Sequence, residues 1–446
     1  MAAPHRARTR HGVRQAGPLA LAGLAANGAN VLVTVVIARL LSVRGYGSLN
    51  ELVSVFLVLS MPGSALLVAV VRRVTAWQAA GQADRIDVWA DKVRRRGVAA
   101  AVVFVACGFA ARHWIATQLS LPDTAGVTPV IAAGAAWALL CVERGLLQAH
   151  RAYGRLARSL LVEGAGRTVF TIGLVGAGLG VGGATGGMLT GIAVAAADTH
   201  LSVRLLRRRG VPAASDAPEA PVPAVAAAAE IPPPADGRVR PAADRLAGEA
   251  GVALAALALL AFLQSLDVII VGRFAPDRVG GYAAVSVASK ALVYVALVLA
   301  GYLLPEVAHR WRTGQRALHE LAVALGVLAV PAAVLLVAAV GFPRLLLRVA
   351  FGAKLTGASG AFAPLAGAMV LLGVTALCTH YLLGAGRRAT VVALGLASAA
   401  SVWVLGSAHG APVSTAYRDL AVQAALAAVS AGLVLSARPP TPVLAR

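Results

Sequence analysis

Long apolar stretches separated by short polar breaks dominate the chain. Runs suited to membrane helices are predicted at residues 16–41, 46–71, 97–118, 126–148, 158–180 and 183–205, and then at 248–272, 279–304, 320–342, 361–384, 388–407 and 419–437. Since roughly 20 apolar residues cross a bilayer as a helix, the pattern predicts an all-α polytopic membrane protein of about 12 transmembrane helices.

The two sets of six runs are separated by residues 206–245. This segment is rich in Ala and Pro and has Arg207, Arg208 and Arg209 near its start. Such a composition favours a flexible linker over a packed helix. We therefore expect a six-helix bundle at residues 1–205, a cytoplasmic linker at 206–245 and a second six-helix bundle at 246–446.

The basic residues follow the alternation of the runs. The net charge is +21, although charged residues make up only 13% of the chain, and they occur in short groups rather than in a basic domain. Most of the 40 basic residues fall in every other loop, which is the positive-inside pattern of a membrane protein. We expect a multi-pass protein of the cytoplasmic (inner) membrane with both termini cytoplasmic, and no nucleic-acid partner.

Each predicted half begins with a similar hairpin. IARLLSVRGYGSLNELVSVF joins the first two runs, and IIVGRFAPDRVGGYAAVSVASKALVYV joins the seventh and eighth. Arg39 and Arg44 are five residues apart in the first copy. Arg273 and Arg278 have the same spacing in the second, and a Gly/Tyr turn follows each pair. An even number of helices separates the copies, so we expect an internal parallel repeat of two six-helix bundles.

Two stretches resemble a known family. Both are similar to parts of the polysaccharide and lipopolysaccharide (O-antigen type) flippases. The first hairpin of that family is similar to ARLLSVRGYGSLNELVSVFLVLSMPGSALLVAVVRRV, and its seventh and eighth helices are similar to LDVIIVGRFAPDRVGGYAAVSVASKALVYVALVLAGYLLPEVAHR. These flippases belong to the multidrug, oligosaccharidyl-lipid and polysaccharide exporter superfamily. Many members have more helices than are predicted here, and the Pro-rich linker is not typical of them.

The resemblance implies a function and partners. It implies a flippase that moves a polyprenyl-pyrophosphate-linked saccharide by alternating access between two bundles, for cell-surface polysaccharide synthesis. Its partners would be the lipid-linked saccharide, membrane lipid and polysaccharide assembly proteins. No cofactor is implied.

Ionisable residues inside the apolar runs are the candidate site, because a charge in the membrane usually faces a cavity or a partner. A cavity for a pyrophosphate needs fixed cations, and Lys290 lies near the middle of its run. Arg39, Arg167 and Arg273 are the other candidates for substrate binding. Each has a structural alternative: an ion pair for Lys290, an intrahelical salt bridge to Glu163 for Arg167, and placement at the membrane interface for Arg39 and Arg273.

Two carboxylates in apolar runs are candidates for ion coupling. Asp267 and Glu51 either carry a coupling proton or sodium ion, or neutralise Arg39 and Lys290. A third feature, the four-residue spacing of Gly183, Gly187 and Gly191, favours close helix packing and no chemistry.

Several functions are disfavoured or left as rivals. The chain has no P-loop, its one G-x-G-x-x-G match lies between two membrane runs, and its three cysteines have no metal-ligand spacing. A membrane glycosyltransferase or polymerase would need catalytic groups in long external loops, and the longest here, about 343–360, has no acid, so we expect a protein that is not an enzyme. An ion-coupled multidrug exporter of the same fold and a transport-inactive scaffold remain as alternatives.

Overall fold

The computed structural model describes residues 28–208, 239–312 and 317–437, and every regular element in these ranges is helical. The helices are α1 (Gly28–Leu40), α2 (Val43–Ala79), α3 (Asp84–Ala110), α4 (Arg112–Gln118), α5 (Val127–Ala149), α6 (Tyr153–Leu174), α7 (Gly180–Arg208), α8 (Val239–Phe274), α9 (Val279–Arg312), α10 (Leu318–Gly341), α11 (Pro343–Phe351), α12 (Phe362–Gly384), α13 (Ala389–Gly406) and α14 (Pro412–Ser436). A π-helix (Val175–Leu179) joins α6 to α7, and a 3-10 helix (Ala353–Ala361) joins α11 to α12. The predicted all-α class is confirmed.

The surface of α10 shows that the helices face lipid. Valines recur on it every three or four residues, and each is 49% to 71% exposed: Val323, Val327, Val330, Val334, Val337 and Val340. This spacing places them on one face of the helix. A continuous apolar face of this length is unfavourable in water and favourable against acyl chains, so α10 presents it to the bilayer.

The number of membrane crossings agrees with a polytopic protein. Within the described residues nine stretches are long and apolar enough to cross a membrane, and the pair α3 and α4, bent by 63°, raises this to as many as ten. One of the nine is the continuous helical stretch Tyr153–Arg208. The first part of the predicted run 16–41 lies outside the described residues, which begin within it at Gly28.

The stretch that contains α6 and α7 is a hairpin of two helices. Gly178 and Gly180 have φ angles of 89° and 54°, which glycine adopts far more easily than other residues, and the chain reverses there. Thr171 and Gly187 then lie opposite each other, so close that a Cβ atom on Gly187 would overlap the Thr171 backbone. The predicted close packing of the glycine-rich helix is therefore confirmed, and the two predicted runs are separate crossings.

The described residues form two compact units. The first contains residues 28–41, 59–117 and 122–208, and the second contains 42–58, 118–121, 239–312 and 317–437. In the first unit, buried residues of α2, α3, α5 and α7 form a core that includes Val74, Ala90 and Leu147. In the second, α9, α10, α12 and α14 form one that includes Leu303 and Leu377.

The predicted linker falls largely outside the described residues. The structure describes α7 up to Arg208 and α8 from Val239, and residues 209–238 between them are not among the described ranges. The division into bundles at 1–205 and 246–446 therefore remains a prediction. Residues 343–360, predicted as the longest external loop, contain α11 and most of the 3-10 helix instead.

Equivalent positions in the two hairpins support the predicted internal repeat. Tyr46 is the fourth residue of α2 and Tyr282 the fourth of α9, and their side chains are 1% and 0% exposed. Arg39 and Arg273 are each the second-last residue of the preceding helix, and both are exposed. The same residue types thus have the same places and environments in both copies.

Candidate functional site

The second unit buries a lysine against an aspartate. The Nζ atom of Lys290 on α9 is 3.5 Å from Oδ1 of Asp267 on α8. The other oxygen of Asp267, Oδ2, accepts a hydrogen bond from the Ser286 hydroxyl at 2.9 Å. Lys290 is 7% exposed and Asp267 is 0% exposed. The structure therefore contains the ion pair that was the alternative to substrate binding for Lys290, and the substrate role stays a prediction.

A third charge lies within electrostatic range of this pair. Asp419 on α14 is buried, and the charges of Asp267 and Lys290 both act on its carboxylate. Its Oδ1 atom accepts a hydrogen bond from Nε2 of Gln423 at 3.1 Å, whereas Oδ2 has no hydrogen-bond partner. Asp419 is not among the predicted site residues, because the last apolar run is predicted to begin there. Since α14 begins at Pro412, Asp419 lies about two turns inside the helix.

The cluster of Asp267, Lys290 and Asp419, here called the acidic cluster, has an unequal charge balance. Among the described residues only Asp267 is within ion-pair distance of Lys290, and the addition of Asp419 gives the cluster one excess negative charge when all three groups are ionised. An uncompensated buried charge is costly in a membrane protein. The acidic cluster therefore favours an additional proton or cation, the chemistry predicted for Asp267, although that role stays a prediction.

The first unit holds an arginine with fixed contacts. Arg144 on α5 is 4% exposed, and its Nη2 atom donates a hydrogen bond to Oε2 of Glu163 on α6 at 2.8 Å. Its Nε atom donates to the Ser159 hydroxyl at 2.9 Å, which in turn is 2.7 Å from the Thr199 hydroxyl on α7. These contacts between three helices hold Arg144 in one position.

A second arginine shares the same carboxylate. The Nη1 atom of Arg167 is 3.4 Å from Oε1 of Glu163, one turn earlier on α6. This is the intrahelical salt bridge that the spacing predicted as an alternative for Arg167. Among the described residues Arg167 has no other ion pair. Arg144, Glu163 and Arg167, here called the basic cluster, therefore have one excess positive charge.

The side chain of Arg167 is the accessible part of the basic cluster. It is 24% exposed, against 4% for Arg144. A glycine on α7 makes room for it, because a Cβ atom on Gly191 would overlap the backbone and the Cγ atom of Arg167. The glycine spacing that was predicted only for packing thus also positions a cation.

Arg39 and Arg273 lie at helix ends. Both side chains are exposed, at the ends of α1 and α8 respectively. The Nη1 atom of Arg273 donates to the Ser120 hydroxyl at 3.3 Å. Their positions fit the interface alternative for both residues, and substrate binding by either stays a prediction.

Glu51 is a buried carboxylate on α2. It is 1% exposed and its Oε2 atom has no hydrogen-bond partner. The carboxylate lies against Gly272 of α8, where any Cβ atom would overlap it. The positive charge of Arg44, near the start of the same helix, acts on this carboxylate. Its predicted role in ion coupling remains a prediction.

Metal ligands are not grouped in the described part of the chain. No set of three or more His, Cys, Asp and Glu side chains there is placed to hold a metal ion. Cys141 and Cys378 are buried, Cys107 is exposed, and all three are free thiols.

Comparison with known proteins gives the fold. No protein-family model matches the sequence, and no curated protein matches it. Among solved structures, an inward-facing multidrug resistance MATE family transporter of the MOP superfamily is similar, with a TM-score of 0.66 and 12% identity over 92% of this chain and 94% of that chain. The lipid II flippase MurJ in an inward closed conformation has a TM-score of 0.68 and 9% identity, over 94% and 87%. The eukaryotic MATE transporter AtDTX14 has a TM-score of 0.61 and 15% identity, over 95% of both chains.

These likenesses cover nearly the whole of each chain. The protein is therefore an all-α polytopic membrane protein with the fold of the MOP superfamily transporters. At this level of identity the likeness shows the fold and does not assign a cargo.

Proposed function

We propose that the protein is a transporter that moves a polyprenyl-pyrophosphate-linked saccharide across the cytoplasmic membrane. Its fold is that of MATE transporters and of a lipid II flippase, so both drug and lipid-linked cargo are compatible with it. The charges in the membrane-crossing helices distinguish these two classes of cargo.

The observation that carries the proposal is the shared carboxylate of the basic cluster. Glu163 is bonded to buried Arg144 at 2.8 Å and is 3.4 Å from the partly exposed Arg167. One carboxylate cannot neutralise two guanidinium groups, and a positive charge in the membrane is stable when an anion compensates it. Arginine also binds phosphate oxygens through two parallel N–H groups. Arg167 is therefore the residue we assign to the pyrophosphate.

The acidic cluster supports ion coupling in the same proposal. Its excess carboxylate accepts a proton or cation, and transport then draws on an ion gradient, since the sequence has no P-loop. Asp267 and Asp419 are the coupling residues in this account, and Lys290 holds their charges in place. Glu51 is a further candidate for carrying a proton.

A multidrug exporter of the same fold is the second candidate. The acidic cluster favours it, because a buried site with one excess negative charge suits a cationic drug. In that case the basic cluster would have no part in cargo binding, and substitution of Arg167 would leave export of cationic compounds unchanged.

The test is the distribution of lipid-linked saccharide between leaflets after depletion of the protein in its host. A membrane-impermeant glycan-modifying probe is applied to intact cells and to inverted vesicles. We expect cytoplasmic build-up that wild type reverses fully, that Arg167→Lys reverses in part because it keeps the charge but not the paired N–H groups, and that Arg167→Gln does not reverse. Arg158→Gln is the control, because Arg158 is an exposed arginine on the same helix. Normal flipping with Arg167→Gln at equal abundance would contradict the assignment of Arg167.

A further inference from the structure

A groove between α3, α5 and α7 of the first unit lies outside both clusters. Its lining combines charged and apolar side chains: Arg94, Glu143, His200, Val98, Leu139, Val142 and Ala196. None of these residues has a part in the proposed cargo binding or ion coupling.

The polar and apolar lining residues are ordered along the helices. The start of α3 and the end of α7 lie together, since Arg207 forms ion pairs with Asp87 at 2.8 Å and Asp91 at 3.0 Å. The positive-inside pattern predicts that this end is cytoplasmic. On each helix an apolar lining residue lies one turn further from that end than a polar one: Val98 beyond Arg94, Leu139 beyond Glu143, and Ala196 beyond His200.

An arginine and a histidine in the polar part share Glu143. The Nε atom of Arg94 donates to its Oε1 atom at 2.7 Å, and Nδ1 of His200 is 3.0 Å from the same oxygen. The Nη2 atom of Arg94 has no hydrogen-bond partner, and His200 keeps its Nε2 atom for another contact. Both side chains are about a quarter exposed, at 22% and 24%. Among the described residues, the polar part of the groove therefore contains a buried arginine Nη2 atom without a hydrogen-bond partner and an imidazole nitrogen that makes no further contact.

More basic side chains border the polar end. Lys92, Arg95 and Arg96 on α3 and Arg204 on α7 are exposed, and among the described residues none of them forms an ion pair. Asp87 and Asp91 nearby are already paired with Arg94 or Arg207. This end of the groove thus has an excess of positive charge, which attracts anionic headgroups at a cytoplasmic membrane surface.

We propose that the groove binds an anionic phospholipid of the cytoplasmic leaflet. Its phosphate contacts Arg94 and His200, and the first part of an acyl chain lies against Val98, Leu139 and Ala196. The order of polar and apolar lining residues matches the direction of a lipid in that leaflet, with the headgroup towards the cytoplasm. Charge complementarity with the basic border selects an anionic over a zwitterionic headgroup.

The test is native mass spectrometry of the full chain in detergent, supplemented with equal amounts of phosphatidylglycerol and phosphatidylcholine that carry the same acyl chains. We expect wild type to retain phosphatidylglycerol with roughly five-fold preference or more, the effect of about one basic contact at a membrane surface. Ala196→Phe fills the apolar part without changing a charge and is expected to remove this retention. His200→Gln keeps a hydrogen-bonding group but removes the imidazole ring, and it is expected to reduce the preference several-fold.

The control variant is Arg348→Gln, which removes an exposed arginine of the second unit and should retain lipid as wild type does. Equal retention of both lipids by wild type would overturn the proposal. Wild-type preference in both Ala196→Phe and His200→Gln would also overturn it. If Ala196→Phe does not fold, the lipid preference of His200→Gln alone decides whether the proposal stands. Because lipid retention is measured without transport, its outcome is separate from that of the flippase proposal.

Discussion

Replacing Lys290 with methionine tests whether the acidic cluster is a true buried ion pair. Methionine has a similar length but no charge, so the Asp267 carboxylate would remain buried without its cation. Removing one partner of a buried pair typically destabilises a protein by roughly 3–5 kcal/mol, since the remaining charge is left uncompensated. The pair here is 3.5 Å apart and both side chains are less than a tenth exposed, so we expect a loss in the same range.

The measurement is equilibrium unfolding of the detergent-purified protein in a double-mutant cycle. Asp267→Asn combined with Lys290→Met should recover much of the loss of the single Lys290→Met variant, because the double variant removes both members of the ion pair. Lys354→Met is the control, since Lys354 is an exposed lysine of the same unit. A loss below about 1 kcal/mol for Lys290→Met, or a double variant as unstable as the two single losses combined, would refute the reasoning.

Three further predictions follow from particular contacts. In a thermal unfolding assay, Gly187→Ala should destabilise the α6–α7 hairpin by about 1–3 kcal/mol, because the new Cβ atom overlaps the opposite backbone. The control Gly173→Ala has open space around its Cβ atom and should be neutral or stabilising. Gly272→Ala should force the Glu51 carboxylate to move and so reduce transport towards the level of Glu51→Gln; equal transport by Gly272→Ala and wild type would contradict this. A reporter fused after Arg446 should be cytoplasmic, and an extracytoplasmic signal would contradict the positive-inside analysis.

Much of the fold could be predicted because membrane helices are set by the length of apolar runs. The hairpin of α6 and α7 shows this, since the glycines between the runs marked the reversal of the chain. The predicted pairing of Arg167 with Glu163 was also visible, because residues four apart share a face of a helix.

The charge balance of both clusters could not be predicted from spacing. Arg144 lies 19 residues before Glu163 and on a different helix, so no short spacing links them. Asp419 is the first residue of the last predicted run, whereas α14 begins at Pro412. Each arrangement depends on contacts between different helices, and the sequence pattern does not show which residues of two helices face each other.

Translocation by the purified protein in proteoliposomes is the direct test of whether the protein moves a lipid-linked saccharide and whether Arg167 binds its pyrophosphate. The vesicles contain a labelled polyprenyl-pyrophosphate-linked saccharide in one leaflet, and its arrival in the other is followed with a membrane-impermeant probe. The account predicts translocation by wild type and at least about ten-fold slower translocation by Arg167→Gln, as expected for the loss of one hydrogen bond to a charged group. Translocation at the wild-type rate by Arg167→Gln, or export of a cationic drug without movement of the saccharide, would contradict it.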